Sequence, residues 1–295
     1  MSAATIITTY PVGCELGEGI YYSVRLNCIF WVDIRLQLLF RLTLDTNEIS
    51  RFPMPEPIGW IKETRAGYFI AGLQSGIYKL TSEYRCAELI CAPRAEPATN
   101  RLNDAKTDRQ GRLYFGSMDN DESRQSGSLY QLFCANGADS PRLIDSDYTV
   151  SNGPAVNVAG DKLYSVSSPA RTIFSFNLDT NGCVTNKQVF VQWPAQCGFP
   201  DGITVDSKDN IWVACWMGSG LCCFSPQGRL LSKVILPAPL ITNITFGGPG
   251  LDRAYVTSAR TGLSDRQLQQ YPLSGSVFEL SLNTTGLPEA LVASE

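Results

Sequence analysis

The stretch Ile211-Trp212-Val213-Ala214-Cys215-Trp216-Met217-Gly218-Ser219-Gly220-Leu221-Cys222-Cys223-Phe224 decides the architecture. Two short runs of β-branched, aromatic and other apolar residues flank a turn of small residues, which is the pattern of a β-hairpin. Working outward, the same unit recurs. First strands are read at 29–32, 68–71, 113–116, 163–166, 211–214 and 254–257, and second strands at 38–42, 76–80, 128–133, 172–177, 220–224 and 276–280. The units start 39 to 50 residues apart. A fixed strand unit at that period predicts an all-β, six-bladed β-propeller. A barrel or a sandwich would not repeat one hairpin six times. Residues 1–295 read as one domain, with the first ~25 residues expected to add a strand to the last blade and close the ring.

A third short strand is read eleven to thirteen residues before each hairpin. At one phase of the repeat it carries Glu18, Asn103, Asn152, Asp201 and Asn243, with 49 residues from Asn103 to Asn152 and 49 again to Asp201. Innermost propeller strands line the central channel, so equivalent starts converge on one rim. Two carboxylates and several amides in a ring suit a hard divalent cation. Without a cation the carboxylates would repel, or one would protonate. Taken singly, Asn152-Gly153 and Asp201-Gly202 read as ordinary turns; the shared phase is what argues for a channel site. The polar stretch 119–127 stands where other units have a short turn, and it is expected to be a loop covering that site.

Composition narrows the chemistry. The 295 residues are 44% apolar and 18% charged, enough apolar content for a packed core. Histidine is absent, which removes Ser-His-Asp and Cys-His catalysis and His-bound zinc. The net charge is −4 with scattered basic residues, so no nucleic-acid partner is expected. No apolar run reaches the ~20 residues of a membrane helix. The start Met1-Ser2-Ala3-Ala4-Thr5 has no basic-then-apolar leader, so a cytoplasmic setting is expected. Ten cysteines without a CxxC pair are then expected to be reduced, small core residues. In the strand 220–224, one of Cys222 and Cys223 should face in and the other out.

Several segments together resemble the family of SMP-30 (regucalcin), gluconolactonases and luciferin-regenerating enzymes. They are Leu16-Gly17-Glu18-Gly19, Phe30-Trp31-Val32-Asp33, Arg101-Leu102-Asn103-Asp104, Gly116-Ser117-Met118, Ser151-Asn152-Gly153, Pro200-Asp201-Gly202 and Phe246-Gly247-Gly248-Pro249. The resemblance implies one divalent metal in the channel, Ca²⁺, Zn²⁺, Mn²⁺, Mg²⁺ or Fe²⁺, held by Glu18, Asn152 and Asp201. It implies substrate contacts from Arg101, Asn103 and Asp104, and from an acidic residue of the loop, which falls at Asp121. Asn243 shares the phase but not the family's ligand pattern. Ile20-Tyr21-Tyr22 and Ala105 depart from the family's usual residues, and these departures bear on pocket shape.

The resemblance implies hydrolysis of a sugar-acid lactone; a monomer or weak dimer is expected. Asp201 is the residue placed to accept the proton of an attacking water. Arg101 and Asn103, two apart on a strand, share a side; Asp104 would point away from them if the strand were regular. Trp216 is the aromatic residue expected near the channel. Two other readings use the same ring: a related esterase or phosphotriesterase, and a calcium-binding scaffold without turnover.

Overall fold

The computed structural model describes residues 4–94, 96–133 and 140–294. Met1, Ser2, Ala3 and Cys134 lie outside the described residues. Within them, strands β1 to β24, numbered along the chain, form six four-stranded antiparallel sheets. The innermost strands are β2 (Gly17–Ser23), β6 (Ile58–Glu63), β10 (Asn100–Thr107), β14 (Ser151–Val156), β18 (Phe199–Val205) and β22 (Ile241–Gly247). Each packs beside the innermost strand of the next sheet, and β22 packs beside β2, so the sheets close into a six-bladed propeller. The sixth blade takes its outermost strand from the other end of the chain: β1 (Thr5–Tyr10) pairs with β24 (Val277–Ser281).

Both faces of a blade are buried against neighbours, so the core is divided among the blade interfaces. Between the first two blades the Phe30 and Phe69 rings sit 5.2 Å apart, with Tyr84 packed against both. The Cys222 and Cys223 expectation is corrected here. On β20 (Gly220–Phe224) the two side chains do alternate, but each enters a different core, with Val213 and Ile211 on one side and Leu221 and Ala214 on the other. Neither is exposed. Among the described residues the thiols are free.

In three successive blades the hairpin after the innermost strand is pinned by one device. The side chains of Asp108, Asn157 and Asp206, again 49 residues apart, each accept backbone N–H bonds from residues ahead. Asp108 Oδ1 takes Gln110 and Arg112, Asn157 Oδ1 takes Asp161 and Lys162, and Asp206 Oδ1 takes Lys208 and Asn210. Such side-chain bonds fix a turn and with it the register of the strands it joins. Asp206, like Asp108, does more than Asn157. It is fully buried, and its Oδ2 also accepts from Asn210 Nδ2, Trp212 Nε1 and Thr284 Oγ1. Replacing it strands several buried donors, so Asp206→Ala should lower unfolding stability by about 3 kcal/mol, against about 1 kcal/mol for the half-buried Asn157→Ala. Urea unfolding followed by tryptophan fluorescence checks the ranking; equal losses would show that the extra bonds of Asp206 contribute nothing.

Candidate functional site

The ring residues do not sit in turns. Each lies within an innermost strand, at a point where that strand slips register against its partner. The slips fall at Glu18/Tyr21, Ile58/Trp60, Leu102/Ala105, Asn152/Ala155, Pro200/Ile203 and Ile241/Asn243, in all six blades. Such a bulge inserts an extra residue, bends the strand and re-aims its side chains. The glycines beside the ring serve close approach. A Cβ on Gly19 would lie 2.2 Å from the Gly59 carbonyl oxygen, and one on Gly202 would lie 2.4 Å from the Asn243 side chain. Neighbouring inner strands could not converge on the axis with larger residues there.

A cavity of about 280 Å³ opens at this level. It is compact for a small-molecule pocket. Glu18, Arg101, Asn103, Asn152 and Asp201 all line it, so five residues up to 183 positions apart meet in one space. Leu16, Ile34, Met118, Val150, Pro169, Phe199 and Trp216 supply its apolar walls. Phe199 is held at the wall by Arg171, whose guanidinium carbon lies 4.0 Å from the ring centroid while Nη1 donates to the Gly198 carbonyl at 2.8 Å.

The polar side chains are tied to one another. Arg101 Nη1 donates to Asn103 Oδ1 at 2.5 Å. Asn103 Nδ2 donates to Asn152 Oδ1 at 2.7 Å and to the Ser151 carbonyl at 2.5 Å. Asn152 Nδ2 donates to Ser168 Oγ at 2.9 Å, which fixes the amide's orientation and leaves its oxygen with a spare acceptor position. Arg101 is buried, not a surface ion-pair residue. Burial pulls its guanidinium down to about 10, with the Glu18 carboxylate opposing that shift.

Asp104 corrects one expectation. Because β10 advances three residues, Leu102 to Ala105, while β11 (Leu113–Asp119) advances two, the strand is not regular at this point. Asp104 does not turn away from the channel. It faces a narrow space below the cavity, where Asn243 Nδ2 donates both to Asp104 Oδ1 at 2.7 Å and to Glu18 Oε2 at 3.0 Å. Asn243 is thus a clasp between two carboxylates.

Asp121 gives a second correction. It is exposed and does not line the cavity; its neighbour Glu122 does. Asp119 Oδ2 accepts the backbone N–H groups of Ser123 and Arg124 and the Ser123 hydroxyl, curling the loop tip. Glu122 takes a left-handed backbone, φ 56°, in that curl. Nothing in the loop's sequence periodicity distinguishes the two acids. Trp216 lines the cavity from the end of β19 (Ile211–Trp216).

Burial pushes the Glu18 carboxyl up from its ordinary range. It pushes Asp104 well above that range, helped by the charge of Glu18. Asp201 is raised likewise by burial and then by the charges of Glu18 and Asp104. No three His, Cys, Asp or Glu side chains among the described residues form a metal-holding group. The candidate donors are instead two carboxylates and one amide oxygen. That all-oxygen set, crowded with like charge, is chemically suited to a hard divalent cation.

Three comparisons bear on this geometry. The family model described as the SMP-30/gluconolactonase/LRE-like region matches residues 16–260. A 6-deoxy-6-sulfogluconolactonase of Pseudomonas putida is 31% identical over 94% of this chain and 95% of its own. Regucalcin of Sus scrofa is 28% identical over 98% of both. In fold, the chain superposes on a crystal structure titled a calcium-binding protein, regucalcin, from Agrobacterium tumefaciens, with a TM-score of 0.91, 22% identity and 97% of each chain covered. With the family model spanning most of the propeller and the ring residues inside the matched region, this chain belongs to the SMP-30/gluconolactonase/LRE-like family.

Proposed function

We propose that the protein hydrolyses a sugar-acid lactone with the help of one divalent cation held by Glu18, Asn152 and Asp201. The observation that carries this reading is the joint presence, in one compact cavity, of these three oxygen donors and the linked pair Arg101–Asn103. The bound cation would supply Lewis-acid polarisation of the lactone carbonyl. The remaining roles belong to the chain. Arg101, buried and cationic, attracts the substrate's oxygens, and Asn103 holds both Arg101 and Asn152 in register. Asp201 is the proton acceptor for the water that adds to the carbonyl, and the ring oxygen leaves as that proton is returned. The apolar walls exclude bulk water, which strengthens every charge interaction inside.

The reading is supported by family membership and by the sulfogluconolactonase relative. A regulatory calcium-binding role is the second reading, favoured by the regucalcin relatives. The two differ in whether turnover accompanies cation binding.

A pH-drop assay over a panel of aldonolactones, on protein stripped with chelator and resupplied with each divalent metal in turn, tests the proposal. Metal-restored hydrolysis is expected, with Glu18→Gln inactive. Asp201→Asn should lower kcat by roughly 10²–10⁴-fold, the usual share of a general base, with a smaller effect on KM. Cation binding without turnover on any lactone would favour the regulatory reading.

The loop acids give a separate check. Glu122→Ala should raise KM by about fivefold, the value of roughly one hydrogen bond, while Asp121→Ala should leave KM within about twofold. Steady-state kinetics on the best lactone decides; the opposite ranking would return the substrate contact to Asp121.

A further inference from the structure

The segment after β24 has little regular structure, yet it crosses the mouth of the channel opposite the cavity. It runs past the far turns of four blades. The Ser207 N–H donates to the Thr285 carbonyl, Gly286 to the Leu251 carbonyl, Val292 to the Glu63 carbonyl and Ala293 to the Gly111 carbonyl. Midway, Glu289 turns inward and is buried. Its Oε1 lies 2.7 Å from Lys62 Nζ and accepts the Thr107 N–H at 3.1 Å, and its Oε2 lies 3.2 Å from Lys106 Nζ. Lys62 is itself 4% exposed in its side chain, and its ammonium lies 4.8 Å from the centre of the Tyr21 ring.

The two lysines are not an isolated surface pair. Lys62 and Lys106 line the same narrow space as Asp104 and Asn243, and Asn243 is the residue clasped to Glu18. Two ammonium groups, that of Lys62 buried and that of Lys106 partly exposed, therefore stand one layer below the oxygen ring. Burial alone would push the Glu289 carboxyl up, but Lys106 and Lys62 together hold it below its ordinary value, so it carries its negative charge. Positive charge at this position opposes a cation above it, and the interior screens poorly.

We infer that Glu289, delivered by the C-terminal segment, is an electrostatic counterweight that sets the cation affinity of the ring by cancelling one of the two lysine charges beneath it. The inference rests on the metal reading given above. Lys62, Lys106 and Glu289 together leave one net positive charge. At a pH that keeps Lys62 protonated, since burial pulls its ammonium below its ordinary value, Glu289→Gln leaves two, Lys62→Met or Lys106→Met leaves none, and Lys62→Met/Glu289→Gln restores one.

Isothermal titration of Ca²⁺ and, separately, Mn²⁺ into chelator-stripped protein reads the affinity directly, with no need for turnover. Thermal unfolding in chelator confirms that each variant is folded. Kd should rise on the order of tenfold in Glu289→Gln and fall by a similar factor in Lys62→Met, at roughly one unit charge through a partly screened interior. The double variant should return to within about threefold of the wild type. The partly exposed Lys106→Met repeats the test should Lys62→Met fail to fold. A merely structural plug would weaken binding in both single variants or change it in none, and either result overturns the inference while leaving the metal site standing. A wild-type protein that binds neither cation overturns the inference together with the metal reading beneath it.

Discussion

Six strands that converge on one axis must approach one another more closely at the rim than antiparallel ladders with ordinary side chains permit. In this protein each innermost strand meets that constraint with a slip in register at the same phase of the repeat. The slip does two things at once. It bends the strand toward the axis, and it re-aims consecutive side chains into the channel, as Asn103 and Asp104 show. Gly19 and Gly202 complete the fit, because any Cβ there would collide with the adjoining inner strand. The polar site is therefore made by the backbone's solution to a packing problem, not by a loop added to a finished scaffold.

The cost of that solution is electrostatic. Glu18, Asp104 and Asp201 are buried together, with the Arg101 guanidinium lining the same cavity as Glu18 and Asp201. A cluster of buried carboxylates is tolerated when amide donors, cations or protons offset it. Asn243 offsets two of them with one amide, and Arg101 moderates Glu18. The like charge that remains is what distinguishes this channel from a structural polar core. In a core, a satisfied network closes on itself. Here burial raises all three carboxyl groups, and the charge of Glu18 raises Asp104 and Asp201 further, which is the condition a bound cation relieves.

The fold was legible because its signal is periodic. Hairpins such as 211–224 repeat six times, and averaging over six copies defeats the ambiguity of any one strand. The ring was legible for the same reason: phase carried Glu18, Asn152 and Asp201, although the separate sequence contexts of Asn152 and Asp201 read as turns. What did not repeat was not readable. The direction of Asp104 depends on one inserted residue in β10, and alternation in sequence cannot register an insertion. Glu122 and not Asp121 lines the cavity because a curl held by Asp119 sets the loop tip, and no period governs a loop tip. Cys222 and Cys223 did alternate, but the inside-outside rule assumes one solvated face, and a blade packed on both sides has none.

Glu289 is the extreme case of the same limit. It lies in Leu287-Pro288-Glu289-Ala290, a segment with neither strand nor helix periodicity, and its partner Lys62 is 227 positions away. From sequence each is an ordinary surface charge. In the structure neither can be understood alone, since a lone buried ammonium or carboxylate would be expelled or neutralised. The segment after β24 crosses the channel mouth, and in crossing it brings a negative charge to two lysines that stand beneath a ring of oxygens. The end of the chain is thus coupled to the centre of the molecule by charge, with Asn243 as the hydrogen-bonded link between the two layers.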